Sequence, residues 1–226
     1  MLVRDWMSKE VITVNAEDSM HNATKMLKEH RINILPVMEE DKLVGVITDR
    51  DLKRASASDA TTLEIHELFY ALLRIKIRDI MTKDPITVSP DFTVEETAEI
   101  LLNNRISGVP VVNEVNDVVG VITKTDLFKV LISLTGIRKR GIQFAFLLED
   151  RPGSIKEVAD IFRKQGARMV SILSTYDDVQ EGYRKVYIRI YDIERPNLKK
   201  LKEELKKDFK VLYMVDLREN KREIYE

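Results

Sequence analysis

A chain of 226 residues with 44% hydrophobic residues can fill one large or two to three small cores. Its 37 basic and 38 acidic residues leave a net charge of -1, so no overall field draws it to nucleic acid or an anionic membrane. The absence of cysteine excludes disulfide scaffolds, thiolate metal sites and thiol nucleophiles together, and a reducing, cytoplasmic setting is expected.

The chain opens with Met1-Leu2-Val3-Arg4-Asp5-Trp6, which lacks the basic-then-apolar order of a signal peptide. No uninterrupted apolar run approaches the roughly 20 residues that span a bilayer. Arg4-Asp5-Trp6-Met7-Ser8-Lys9 then recurs seventy-four residues later as Arg78-Asp79-Ile80-Met81-Thr82-Lys83. The same offset carries Ile12-Thr13-Val14 onto Ile86-Thr87-Val88, Arg31-Ile32 onto Arg105-Ile106, and Pro36-Val37 onto Pro110-Val111. One extra loop residue in the second copy brings Gly45-Val46-Ile47-Thr48-Asp49-Arg50-Asp51-Leu52 onto Gly120-Val121-Ile122-Thr123-Lys124-Thr125-Asp126-Leu127. Matching over this length, broken only in a loop, is an internal repeat.

Each copy reads β-α-β-β-α. Ile12-Thr13-Val14 is β-type, and Met20, Ala23, Thr24 and Leu27 fall on one helical face, as do Val94, Thr97, Ala98 and Leu101 behind a Thr93/Glu96 capping box. Strands follow at Leu35–Val37 and Leu43–Ile47, and again at Val109–Val112 and Val118–Ile122. Such a unit cannot bury both faces of its sheet alone, so two in tandem imply sheets packed face to face in a pseudo-symmetric domain. Between the copies, Thr61–Lys76 is expected to be a helix, with Ile65, Leu68, Leu72 and Ile75 along one stripe. The strand-to-Thr-x-x-Asp junctions bring backbone N–H groups to a helix start, which suits an anion. The same residues also make a capping box that needs no ligand.

These units resemble CBS domains and together a CBS pair (Bateman module), on Arg-Asp-x-Met, Ile-Thr-Val, Arg-Ile-x-x-x-Pro-Val and Gly-Val-Ile-Thr-x-x-Asp-Leu, each present twice and in order. After the basic connector Arg138-Lys139-Arg140-Gly141 the pattern changes to βαββαβ. Gln143–Leu148, Met169–Thr175, Lys185–Ile190 and Val211–Val215 read as strands. Helices open at a Ser154/Glu157 capping box, ending near Gly166, and run over Asn197–Lys206. With Asp150-Arg151-Pro152-Gly153 at the first strand-to-helix turn, this part resembles an ACT domain, and the whole resembles acetoin-utilisation AcuB-like proteins.

The fold class implied is α/β (α+β), a CBS-domain pair plus a ferredoxin-like βαββαβ ACT domain. Its divisions are CBS unit 1 over 1–56, a connecting helix over 57–77, CBS unit 2 over 78–135, a linker over 136–141, the ACT domain over 142–217 and a fraying charged tail over 218–226.

The resemblance implies an adenine nucleotide (AMP, ADP, ATP, NAD or S-adenosylmethionine) as a regulatory ligand in the clefts. Asp51 and Asp126 would bind ribose hydroxyls, Thr48 and Thr123 would donate to phosphate or ribose, and Arg31 and Arg105 would contact phosphate. Ile12, Thr13, Ile86, Thr87, Val37, Val109 and Pro110 would border the base. Lys124 replaces Asp49 in the second copy, so the clefts differ in charge, and the one built around Asp126 is preferred for a phosphorylated ligand. In the ACT part Asp150, Arg151, Gly153, Ser154 and Ile155 mark an amino-acid site, Gly153 permitting close backbone approach.

His21, His30 and His66 lack metal spacing, and no Walker loop, Gly-x-Gly-x-x-Gly or nucleophile elbow occurs. The expectation is a non-catalytic sensor with neither a metal nor a catalytic cofactor, and the resemblance implies a homodimer acting on a protein target of unknown identity. A ligand-free dimeric scaffold is the alternative, and an unrecognised small enzyme ranks last.

Overall fold

A computed structural model describes residues 1–59 and 74–225 of the protein. The expected connecting helix falls largely outside these residues, as does His66. Two compact units emerge, Met1–Phe128 and Lys129–Glu226.

In the first unit, β1 (Val14–Asn15) precedes α1 (Met20–His30), which begins where the Ser19 hydroxyl accepts the Asn22 N–H. It ends at Arg31, whose φ of 53° is left-handed. Met20, Ala23 and Leu27 are buried along its inner stripe. The antiparallel pair β2 (Ile34–Glu39) and β3 (Lys42–Thr48) follows, with β1 parallel to β2, and α2 (Asp49–Asp59) leaves β3 without a break. After the short α3 (Ile77–Ile80) and β4 (Thr82–Lys83), the second copy supplies α4 (Val94–Asn103), β5 (Gly108–Val112), β6 (Val118–Thr123) and α5 (Lys124–Thr135). The Thr93/Glu96 box at the start of α4 is formed, and the N–H and hydroxyl donated by Thr93 lower the Glu96 pKa.

The two copies exchange edges. β4, from the opening of the second copy, pairs antiparallel with β3 of the first, while Ser8, from the opening of the first, bridges Val121 of β6. Val3 and Ile77 lie in the corresponding positions, both fully buried, and their N–H groups donate to the Phe92 and Asp18 carbonyls. Burying each such side chain contributes about 1.5–3 kcal/mol.

This exchange explains why a Met near the start of each repeat accompanies a Gly in its third strand. A Cβ on Gly45 would stand 2.6 Å from Met81 Sδ, and one on Gly120 2.4 Å from Met7 Sδ. Each glycine makes room for the other copy's methionine.

The second unit runs β7 (Ile142–Glu149), α6 (Ser154–Lys164), β8 (Arg168–Thr175), β9 (Tyr183–Tyr191), α7 (Arg195–Asp208), β10 (Lys210–Asp216) and β11 (Lys221–Ile224). Its antiparallel sheet has the order β11-β10-β7-β9-β8. The inner four strands follow the ferredoxin-like βαββαβ pattern. Phe144 and Phe146 on alternate positions of β7 meet Phe162 of α6 in the core, at ring separations of 5.7 and 6.3 Å.

Two expectations are corrected here. The charged tail does not fray: Lys221–Ile224 form a fifth strand. Asp216 Oδ1 accepts the Arg218 and Glu219 N–H groups and so shapes the turn, Lys202 and Lys221 both pair with Glu223, and the Lys206 ammonium sits 3.8 Å from the Tyr225 ring centroid. These partners, with the Tyr225 hydroxyl, hold the Glu223 carboxyl down at about 2. The Ser154/Glu157 capping box is also absent. Gly153 is the N-cap and makes no side-chain bond, Ser154 is already helical and accepts from Arg184, and Glu157 is drawn to the Arg151 guanidinium.

Candidate functional site

The β3–α2 and β6–α5 junctions are built alike. Thr48 donates both its N–H (3.0 Å) and its hydroxyl (2.6 Å) to Asp51 Oδ2, and Thr123 does the same to Asp126 at 3.0 and 2.7 Å. Asp51 and Asp126 are only 8% and 4% exposed. Both carboxylates therefore close the first turn of their own helices. The second oxygen of Asp51, Oδ1, accepts from Arg54 Nη2 at 2.8 Å. The first N–H of each helix is also engaged, from Asp49 to the Asn33 carbonyl and from Lys124 to the Ser107 carbonyl.

Beside the α2 start lies a cavity of about 620 Å³. It brings together Thr48 and Asp51 of the first copy with Ile86, Arg105, Val109, Pro110 and Lys124 of the second. Ile86, Val109 and Pro110 make an apolar wall, and Arg50, Arg105 and Lys124 supply positive charge. None of these three cations makes an ion pair among the described residues; Asp49 on the same wall pairs with Lys53 at 2.6 Å, while Asp84 adds a carboxylate to the lining. Lys124 thus stands at the Asp51 cavity, because the edge exchange carries the α5 start of one copy against the other. Lys124, which the sequence assigned to the Asp126 cleft, therefore lines the Asp51 cavity instead.

The other named residues do not line this cavity. Thr123 and Asp126 stay at their own junction. Ile12, Arg31 and Thr87 lie elsewhere in the first unit, and Val37 is fully buried inside β2 between β1 and β3. Thr13 borders a separate cavity of about 580 Å³ whose rim carries Glu40, Asp41 and Asp117. Asn33, Arg50, Arg54, Asp84 and Ser107 line the main cavity and were not singled out from sequence. Asn33 and Ser107 hold matching places in the two repeats, which was the available signal.

In the second unit Arg151 and Ser154 line a cavity of about 670 Å³, but Arg151 is held by Glu149 and Glu157. Their hydrogen bonds raise the Arg151 pKa and lower that of Glu157. Asp150 accepts from the Tyr176 hydroxyl at 3.3 Å, Ile155 packs on the core, and Gly153 has φ of 90°. A Cβ on Gly153 would meet nothing within 4 Å, so its conformation rather than a close contact accounts for glycine there. Among the described residues no cluster of three or more potential ligands could hold a metal ion, and no helix is long and apolar enough to cross a membrane.

A duplicated β-α-β-β-α unit whose halves exchange edges around a cleft defines a pair of tandem α/β modules. The CBS domain family matches residues 3–58 and 77–133, half of the chain, and the chain belongs to that family. It is similar to a CBS domain-containing protein of Dictyostelium discoideum, at 32% identity over 59% of this chain and 93% of that protein. It is also similar to the inosine-5'-monophosphate dehydrogenase of Korarchaeum cryptofilum, at 38% identity over 53% of this chain, but there it spans only 22% of the relative's length. Among solved structures, the CBS domain pair of protein MJ0100 in complex with 5'-methylthioadenosine and S-adenosyl-L-methionine is 36% identical, with a TM-score of 0.50 over 58% of this chain and 95% of that one. A structure described as a putative acetoin utilization protein (AcuB) from Vibrio cholerae shares the fold at 22% identity and a TM-score of 0.51, over 62% of this chain and 96% of that one.

Proposed function

We propose that the protein is a non-catalytic sensor that binds an adenine nucleotide in the cavity beside Asp51. The observation that carries this reading is the meeting, in one cavity, of a carboxylate at a helix start, an apolar wall and three cations without an ion-pair partner among the described residues. The wall suits a purine face, Asp51 Oδ1 suits a ribose diol, and Arg50, Arg105 and Lys124 suit phosphate oxygens. The adenosine compounds held by the CBS pair of protein MJ0100 support the class of ligand. The positive lining favours AMP, ADP, ATP or NAD over S-adenosylmethionine, whose sulfonium would meet like charge.

Ribose binding competes with the contact that Arg54, an exposed side chain, makes to the buried Asp51 carboxylate. The Thr48 hydroxyl already gives its hydrogen to Asp51, so it serves a ligand only as an acceptor unless the box opens. Binding shifts an equilibrium between two arrangements only to the extent that they differ in affinity. The ferredoxin-like unit is read as an ACT domain that supports homodimerisation or senses an amino acid at the Asp150–Ile155 turn, in a cytoplasmic protein acting on an unidentified protein target.

A thermal-shift and calorimetry panel of the five compounds tests this reading. Saturable binding that Asp51→Ala weakens and Asp126→Ala spares is expected. Lack of binding by all five would favour a ligand-free scaffold, and turnover abolished by a cavity mutation would favour an enzyme.

A further inference from the structure

On the face of the C-terminal sheet opposite its helices, alternation places Gln143 of β7, Arg189 of β9, Ser171 of β8 and Tyr213 of β10, while Phe144, Ile188 and Met214 point into the core. Arg189 is only 5% exposed. Its Nε donates to the Thr135 carbonyl at 2.7 Å and its Nη2 to Gln143 Oε1, but Nη1 is buried without a partner among the described residues. No carboxylate pairs with it among the described residues. The Thr135 carbonyl ends α5, and a helix C-terminus offers at most about half an elementary charge. That leaves much of a buried cation uncompensated, which is costly.

A cavity of about 280 Å³ adjoins it, lined by Arg189, Gln143, Ser171, Tyr187 and Tyr213. Burial raises the Tyr213 pKa, so its hydroxyl keeps a hydrogen to donate. We propose that this pocket binds a small oxyanion, either a carboxylate or inorganic phosphate, which completes the charge of Arg189 and accepts from the Tyr213 hydroxyl. The site is separate from the Asp150–Ile155 turn. Gln143 and Arg189 are paired in register, six positions along β7 from Glu149, or about 20 Å.

The test uses the full chain, with acetate, glycine and inorganic phosphate compared with chloride at matched ionic strength by thermal shift and calorimetry. At least one should raise Tm by several degrees beyond chloride and bind at one site per chain. Response to acetate or glycine alone identifies a carboxylate, and response to phosphate alone identifies phosphate. Arg189→Gln should abolish the response. Tyr213→Phe, which keeps the ring and covers the case in which Arg189→Gln fails to fold, should weaken it at least about tenfold, as loss of one charge-assisted hydrogen bond implies. Equal response to chloride, or unchanged affinity in Tyr213→Phe, would overturn the proposal. So would a change of oligomeric state in Arg189→Gln without anion dependence in the parent chain, because the charge would then serve a subunit contact.

Discussion

At Asp51 a single carboxylate has two tasks that its two oxygens divide. Oδ2 closes α2 through Thr48, and Oδ1 accepts from Arg54, which lines the same cavity. Removing the side chain takes away the acidic half of the Thr48 box, which should cost about 1 kcal/mol, and should also weaken nucleotide binding. Thr93→Ala provides the comparison, since its box with Glu96 caps α4 outside the cavity. Urea unfolding should show similar losses for Asp51→Ala and Thr93→Ala, while calorimetry should show lost affinity only for Asp51→Ala. Equal affinity in both variants would reduce Asp51 to a cap. The Thr-x-x-Asp signal was legible in the sequence, but its dual reading was not resolvable there. Spacing places the carboxylate one turn into the helix without saying where each oxygen points.

At the scale of elements, the helices and inner strands follow from periodicity, because Met20, Ala23 and Leu27, or Val94, Thr97 and Leu101, leave few alternatives for a buried stripe. The edge exchange was hidden, since β4 has two residues and its counterpart in the first repeat, at Ser8, is a single bridge to Val121. A double-mutant cycle should expose it. Gly120→Ala forces a Cβ against Met7 and should destabilise by about 1–3 kcal/mol. Met7→Ala in the same chain should restore part of that loss, giving a coupling of roughly 0.5–3 kcal/mol in urea unfolding; strict additivity would contradict the contact. β11 was missed because Lys221-Arg222-Glu223 reads as a solvated run, and its stability is ionic. The Glu223 pKa is depressed to about 2 from 4.5, so its contribution is present above 4.5 and lost as pH falls towards 2. Glu223→Gln should flatten stability of the C-terminal unit across that interval, as followed by acid unfolding, and an unchanged acid limb would show that Glu223 does not carry it.

For the whole molecule, the duplicated sequence announced the paired modules, while the placement of Lys124 could not be read from it. Lys124 is substituted in one repeat and lines the cavity that holds the other repeat's Asp51. That crossing adds a cation to the Asp51 cavity, and the proposed sensing role rests on that cavity's holding a nucleotide. The most direct measurement is calorimetric titration of AMP, ADP and ATP into the parent chain and into an Arg105→Gln, Lys124→Gln variant at matched folding stability. The account predicts one saturable site in the parent, with affinity reduced in the variant by more for ATP than for AMP because more phosphate charge is left unmatched. Absence of binding in the parent, or equal affinities in the two proteins, would contradict it.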